Sequence, residues 1–315
     1  MTGSPYARLV VTGAAGFVGG HMLDHLLRSA DRPGCLVALD IRKGRREGVE
    51  WETCDLAEPA AAAAAIRRWK PDGIIHLAAV THGDDLAAFF RANVQASANL
   101  LAAACSLHPR PRVLVFGSAA QYGIAAREDE RVDESHPLRG STPYAVSKTV
   151  QEQWALLVGR AAPMHVTCIR PFNLLGPGQP ADLVPATFLH QIARAVDGEI
   201  EEVLVGNTDT ARDFIDVRDM AAATWALMKS DKVSPGAVFN LCSGEPVTIE
   251  EMLRACLELA GRPVPVRCDA TRLKAFDVPK IVGNPAKLRS VTDWRPRISW
   301  KQSLEDMWHA LRHEH

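Results

Sequence analysis

"RLVVTGAAGFVGGHM", residues 8–22, decides the fold. An apolar run reads as a buried strand and breaks at Gly13. A helical pattern over 17–30 follows at once. Gly13, Gly16 and Gly19 stand at the spacing G-x-x-G-x-x-G. Glycine permits the tight turn and lets the backbone approach a pyrophosphate at the helix N-terminus, where free N–H groups and the helix dipole favour anions. A plain strand-to-helix turn packed with small residues would need the same glycines, so the motif takes its meaning from what surrounds it.

Further short apolar runs follow: "LVALD" (36–40), "GIIHLAA" (73–79), "RVLVFGS" (112–118) and "HVTCIRPF" (165–172). Helical patterns lie between several of them, at 58–69, 85–108 and 143–160. Continuous apolar strands alternating with helices predict an α/β fold, a doubly wound parallel sheet covered on both faces. The alanine run at 60–65 reads as helix, with Glu58 and Pro59 suited to its first turn. Asp40 closes the second strand about 20 residues beyond the glycines, where an acid accepts hydrogen bonds from an adenosine ribose. The basic loop after it ("IRKGRREG", 41–48) could attract a 2′-phosphate that Asp40 would repel. The balance favours NAD(H), with NADP(H) as the alternative, because the basic cluster is most simply a solvated loop. "CDL" (54–56) ends another strand and could touch adenine; an Asp-initiated turn explains it equally well.

After Phe172 the rhythm changes. "NLLGPGQPADLVP" reads as loop, followed by a helix (184–196), strands at 202–206 and "RDFIDV", a helix (218–229), and a buried strand "VFNLCS" (238–243). "TIEEMLRACLELAG" carries a capping box, Thr248 with Glu251, and the tail (300–312) is a Trp-rich helix. The expected division is residues 1–172 plus 210–243 as a dinucleotide-binding domain, and 173–209 plus 244–315 as a smaller, mixed α/β substrate domain.

The 315 residues are 47% hydrophobic and 23% charged with net charge −1, the profile of a globular chain with no general pull toward nucleic acid or anionic membrane. Seven scattered cysteines (Cys35, Cys54, Cys105, Cys168, Cys242, Cys256, Cys268) include no C-x-x-C pair, which predicts free thiols in a reducing, cytoplasmic compartment and no metal site. No basic-then-apolar leader and no membrane span is expected.

"STPYAVSK" (141–148) supplies chemistry. Ser141 or Thr142 can cap a helix that Pro143 begins, and Tyr144 and Lys148 then share a face at i, i+4. A phenol titrates at about 10, so it moves protons poorly at neutral pH unless a nearby ammonium favours the phenolate. With Lys148 beside it, Tyr144 becomes a general acid or base for hydride transfer at a carbonyl, and Ser118, at the end of the fifth strand, can fix the carbonyl oxygen. Ligands bind at that end of a doubly wound sheet.

These residues, with "HLAA" (76–79), "NVQASANLLAAA" (93–104), "GSAAQYG" (117–123) and "RPFN" (170–173), resemble the extended short-chain dehydrogenases/reductases that act on nucleotide sugars, over nearly the whole chain. The resemblance implies a Rossmann domain, Ser118–Tyr144–Lys148 catalysis and a nucleotide-diphospho sugar as partner. It assigns Gly13, Gly16, Phe17, Val18, Gly19, Asp40, Ile41, Arg42, Asp55, Leu56, Leu77, Ala78, Ala79, Asn93, Tyr144, Lys148 and Phe172 to the cofactor. Ser118, Ala119, Ala120, Asn173, Val184, Arg212 and Lys274 fall to the substrate. It also implies a homodimer built from the 85–108 and 143–160 helices, with Leu100, Leu101, Val150, Trp154 and Leu157 on the shared face. Arg212 has independent sense, since a guanidinium binds phosphate as a fork.

Within the family, "TARDFIDVRDM" (210–220) and "FDVPKIVGNPAKLRSVTDWRP" (276–296) look most like GDP-4-dehydro-6-deoxy-mannose reductases, and a GDP-sugar is the favoured partner. The 4,6-dehydratases carry an Asp-Glu pair after the catalytic hydroxyl residue; Ala119 and Ala120 stand there instead. A 4-epimerase uses the same three residues and stays open. Three features depart from the family: Gln121 stands where a hydrophobic residue usually precedes the Tyr-Gly, Thr81, His82, Asp84 and Asp85 follow "HLAA", and Lys274 replaces an arginine. His82 is a candidate for substrate contact.

Overall fold

The computed structural model describes residues 4–83, 85–123, 131–273 and 278–313. In chain order the strands are β1 (Arg8–Thr12), β2 (Cys35–Asp40), β3 (Glu50–Thr53), β4 (Gly73–His76), β5 (Arg112–Phe116), β6 (Val166–Pro171), β7 (Asn173–Leu175), β8 (Val203–Val205), β9 (Ala211–Asp216), β10 (Val238–Leu241), β11 (Pro246–Thr248), β12 (Val266–Cys268) and β13 (Lys280–Ile281). The helices are α1 (Phe17–Arg28), α2 (Pro59–Trp69), α3 (Leu86–Phe89), α4 (Ala96–Cys105), α5 (Pro143–Ala161), α6 (Val184–Val196), α7 (Val217–Lys229), α8 (Ile249–Leu259), α9 (Ala286–Val291) and α10 (Trp300–His313).

Seven parallel strands form the main sheet in the order β10-β6-β5-β4-β1-β2-β3. This is the doubly wound Rossmann arrangement. The inner strands are largely apolar because both faces are covered, while the edge strand β3, Glu50–Thr53, is polar and partly exposed. One face packs on α1 and α7 through Met22, Leu26, Met220 and Leu227, the other on α2, α4 and α5 through Ile66, Leu100, Leu101 and Ala155. The order reverses between β1 and β4, so the loops leaving these two strands meet at the switch point where such sheets bind ligands.

A smaller mixed sheet places β9 between β11 and β13, with β7 also on β9. Beside it α6, α8 and α10 close a second core around Leu189, Ile192, Met252 and Leu304. Residues 210–243, grouped with the large domain on sequence, supply β9 to this small sheet and α7 and β10 to the large layer.

Local chemistry explains the main elements. Thr142 caps α5 by accepting from Ala145 N at 3.2 Å, and Pro143 occupies its first turn. Thr248 and Glu251 form the expected capping box on α8. The helix predicted over 85–108 is interrupted by a π-helical turn, Phe90–Gln95, which carries Asn93; such turns gather at functional sites. The stretch read as loop after Phe172 begins with the short strand β7, and β11, β12, β13 and α9 are further elements too short for periodicity to show. No helix among the described residues is long and apolar enough to cross a membrane, and all seven cysteines are free.

Candidate active site

The glycine loop is built for close backbone approach. Gly13 has φ +67°, and a Cβ there would lie 2.6 Å from Ala78 N in the loop after β4. A Cβ on Gly19 would sit 2.2 Å from Gly13 O. Gly16 is the N-cap of α1 and brings no side-chain cap, so the first-turn N–H groups face outward for an anion, and α1 carries no acid in its first turn. The glycines let the loop pack tightly on the loop after β4 and on α1, and the uncapped first turn of α1 fits a dinucleotide pyrophosphate.

Asp40 stands at the end of β2 and is 8% exposed. Its carboxylate accepts from Ala15 N at 2.9 Å and Arg42 N at 2.8 Å, bracing the glycine loop against the loop after β2. The Arg42 guanidinium lies 3.6 Å from the same carboxylate. Arg46 of the basic loop folds back onto α1, donating to Gly20 O and to Asp24 at 2.7 and 2.8 Å. Asp55 accepts from Ala57 N and from Arg91, an Asp-initiated turn joined to an ion pair, and Leu56 is buried. Ile41 is exposed.

The Ser118 side chain lies beside the Tyr144 phenol, where it acts to lower the phenol's pKa. Ser118 also caps a short 3₁₀ turn, Ala119–Tyr122, through Ala120 N at 3.2 Å. Lys148 is 2% exposed, and its Nζ donates to Phe116 O at 2.6 Å and Gln151 Oε1 at 2.7 Å. Burial pushes its ammonium down to about 7. The expectation that Lys148 would lower the phenol is not what these contacts do. Burial raises Tyr144 above its ordinary value, and the opposing influence is the Ser118 side chain.

Behind Lys148 runs a buried polar chain that sequence reasoning missed. Gln151 Nε2 donates to Ser97 Oγ at 2.7 Å, His76 Nε2 lies 2.7 Å from the same oxygen, and His76 Nδ1 lies 2.7 Å from Thr12 Oγ1. Ser97 gives its one proton to Asn93 O at 2.6 Å, so His76 must donate from Nε2 and accept at Nδ1 from Thr12. Burial, reinforced by the Lys148 charge, holds His76 down at about 3, so the imidazole is neutral. Asn93 ties the same region to α5 through Val80 N, Val80 O and Ser147 Oγ. A histidine closing an apolar strand was the one sequence signal for this chain.

Other assigned residues separate into two groups. Leu77, Ala78 and Ala79 are half-buried at the switch point beside Gly13, with Phe17 and Val18 opening α1. Val184 and Ala120 are exposed, and Asn173 donates to Asp213 O at 3.0 Å. Arg212 donates to Ala211 O, while Asp213 is committed to Ser243, Gly244 and Gly283 and Asp216 to Arg218 and Ser303. Phe172 and Ala119 are 4% and 7% exposed and pack with Tyr122, Val132 and Cys242 in a small apolar cluster. Lys274 and Asp84 lie outside the described residues. His82, Nδ1 3.7 Å from Asp182, is an exposed loop residue.

A model of the NAD-dependent epimerase/dehydratase family matches residues 9–242. GDP-6-deoxy-D-mannose reductase of Pseudomonas aeruginosa is 33% identical over 304 residues, covering 94% of each chain. The structure of RMD from Pseudomonas aeruginosa, complexed with NADPH, superposes with a TM-score of 0.84 at 30% identity, over 98% of this chain and 100% of that one. UDP-glucose 4-epimerase from Thermus thermophilus, in complex with NAD, superposes with a TM-score of 0.85 at 26% identity, over 97% and 99%.

Proposed function

This chain belongs to the NAD-dependent epimerase/dehydratase family, and from that premise we propose that it is an NAD(P)-dependent reductase of a GDP-4-keto-6-deoxyhexose, delivering hydride to the sugar C4 ketone. The observation that carries the reading is the Ser118 side chain set beside the Tyr144 phenol, one helical turn before the buried Lys148 on α5. A reductase needs an acid at that position, and a phenol, which titrates at about 10, is one at neutral pH. A bound nicotinamide supplies the hydride. Tyr144 gives its proton to the ketone oxygen, Ser118 holds that oxygen, and Lys148 steadies the ribose from beneath. The small domain, with Asn173, Val184 and Arg212, takes the nucleotide diphosphate.

Similarity to a GDP-sugar reductase over 94% of the chain supports the GDP-sugar. A nucleotide-sugar 4-epimerase is the second reading, favoured by the likeness to an epimerase solved with NAD. A dehydratase is disfavoured because Ala119 and Ala120 have no ionisable group to take up or give a proton. Asp40 favours NAD(H), and NADP(H) is the alternative. We place the enzyme in the cytoplasm as a homodimer. The α5 stripe Val146, Val150, Trp154 and Leu157 is exposed beside Leu86 and Phe90, and it supplies the apolar face. Leu100 and Leu101, expected on that face, are buried against the sheet.

The test is GDP-4-keto-6-deoxymannose with NADH and, separately, NADPH. Stoichiometric loss of reduced nicotinamide is expected. No loss, with a changed configuration in a GDP- or UDP-hexose, would establish the epimerase. Tyr144→Phe should cut turnover by roughly 10²–10⁴ while dinucleotide binding holds; unchanged turnover would remove Tyr144 from the reaction.

A further inference from the structure

Gln121 stands where the family resemblance leads one to expect a hydrophobic residue, and its side chain is completely buried. An uncharged amide in that position is costly unless both its ends are bonded. Both are. Gln121 Oε1 accepts from Ser118 N at 2.7 Å, and Gln121 Nε2 donates to Glu152 Oε2 at 3.1 Å. Glu152 is on α5, one helical turn after Lys148 and two after Tyr144, on the same face. Glu152 is itself fixed by a buried two-pronged pair with Arg170 of β6, at 2.6 and 2.8 Å. Arg170 donates to Tyr122 Oη at 2.8 Å, and Tyr122 donates to Asn240 of β10 at 2.7 Å. Room for the amide is reserved at Gly117, where a Cβ would come within 2.4 Å of Gln121 Oε1.

We infer that Gln121 is a positioning residue for the reaction: it ties the backbone of Ser118 to Glu152 on α5 and so sets the Ser118 hydroxyl against the Tyr144 phenol. The inference rests on the reading of Ser118 and Tyr144 as the pair that handles the ketone oxygen. The side-chain type follows from the two partners. One end must accept from a backbone N–H and the other must donate to a carboxylate, which a glutamine does. A glutamate would set a second carboxylate against Glu152, and a hydrophobic residue would fill the space without joining the two elements.

The test uses Gln121→Met, which keeps the volume and removes both bonds, and Gln121→Asn, which keeps both groups and withdraws them by one methylene. The first readout needs no substrate. Exchange of the Ser118 backbone amide should quicken about ten-fold or more in the Met variant, with Val115 in β5 unchanged; unaltered Ser118 protection in both variants overturns the inference. The second is kinetic. In the wild-type background kcat should fall about ten-fold with KM for the nucleotide sugar nearly constant, and in a Ser118→Ala background the same substitution should change kcat by less than about two-fold. Equal losses in the two backgrounds would mean general loosening and would also overturn it. If wild-type protein fails to reduce GDP-4-keto-6-deoxymannose with either nicotinamide, the substrate reading falls, and amide exchange alone then decides the role of Gln121.

Discussion

Protonating His76 should unfold this protein more readily than any ordinary surface histidine could. The folded imidazole sits at about 3 against an ordinary 6.5, because it is buried and close to the Lys148 charge. In the unfolded chain it takes up a proton as pH falls through 6.5, whereas the folded form does so only near 3. Between those values the unfolded state binds more protons, so stability rises with pH and is lost on acidification. At pH 5 this one group removes about 2 kcal/mol relative to pH 8, and at pH 4 about 3 kcal/mol. The assay is urea unfolding of wild type and His76→Gln at pH 8 and pH 5. The variant is less stable at both, since Thr12 and Ser97 lose a partner, but its drop between the two pH values should be smaller than that of wild type by about 2 kcal/mol. His25 and His165, also held low by burial, contribute equally to both proteins and cancel. Identical pH dependence in the two proteins would refute the neutral, buried His76 and the proton assignment built on it.

Gly13→Ala should weaken dinucleotide binding at least about ten-fold, because the new Cβ meets Ala78 and Leu77 backbone within 2.9 Å at φ +67°; Gly20→Ala, where a Cβ meets nothing within 4 Å, should leave binding unchanged, and NADH fluorescence titration compares them. Trp154→Glu places a charge in the exposed α5 stripe and should convert a dimer to monomers in sedimentation equilibrium; a wild-type monomer would remove the homodimer.

The layered sheet was legible because its signals are local. Apolar strands of four to six residues, glycines at a fixed spacing and a Pro-Tyr-Ala-Val-Ser-Lys helix start each declare themselves within a short window. Asp40 could be placed by its distance from the glycines alone, and it closes β2 as expected. What stayed hidden depends on partners far along the chain. Phe172 and Ala119 follow strand ends that point at ligands in this fold, yet their side chains close a cluster with Val132 and Cys242, segments no periodicity links. The π turn at Asn93 was not legible because the local sequence does not distinguish one hydrogen-bond register from the other.

The same distinction bears on the chemistry. Tyr144 and Lys148 were paired by an i, i+4 rule, which fixes a shared face but not the direction of an ammonium. That direction is set by Phe116 O on β5 and by Gln151, itself anchored through Ser97 to His76 on β4. Ser118 is held in turn by Gln121 and Glu152, the latter paired with Arg170 on β6. Lys148 and Ser118 therefore each have a supporting side chain of their own, and the two supports reach different strands of the sheet. A phenol beside a hydroxyl that can share the substrate oxygen gives up its proton most readily as that oxygen accumulates negative charge. The rigidity of these buried polar chains keeps that oxygen's place fixed before the substrate arrives.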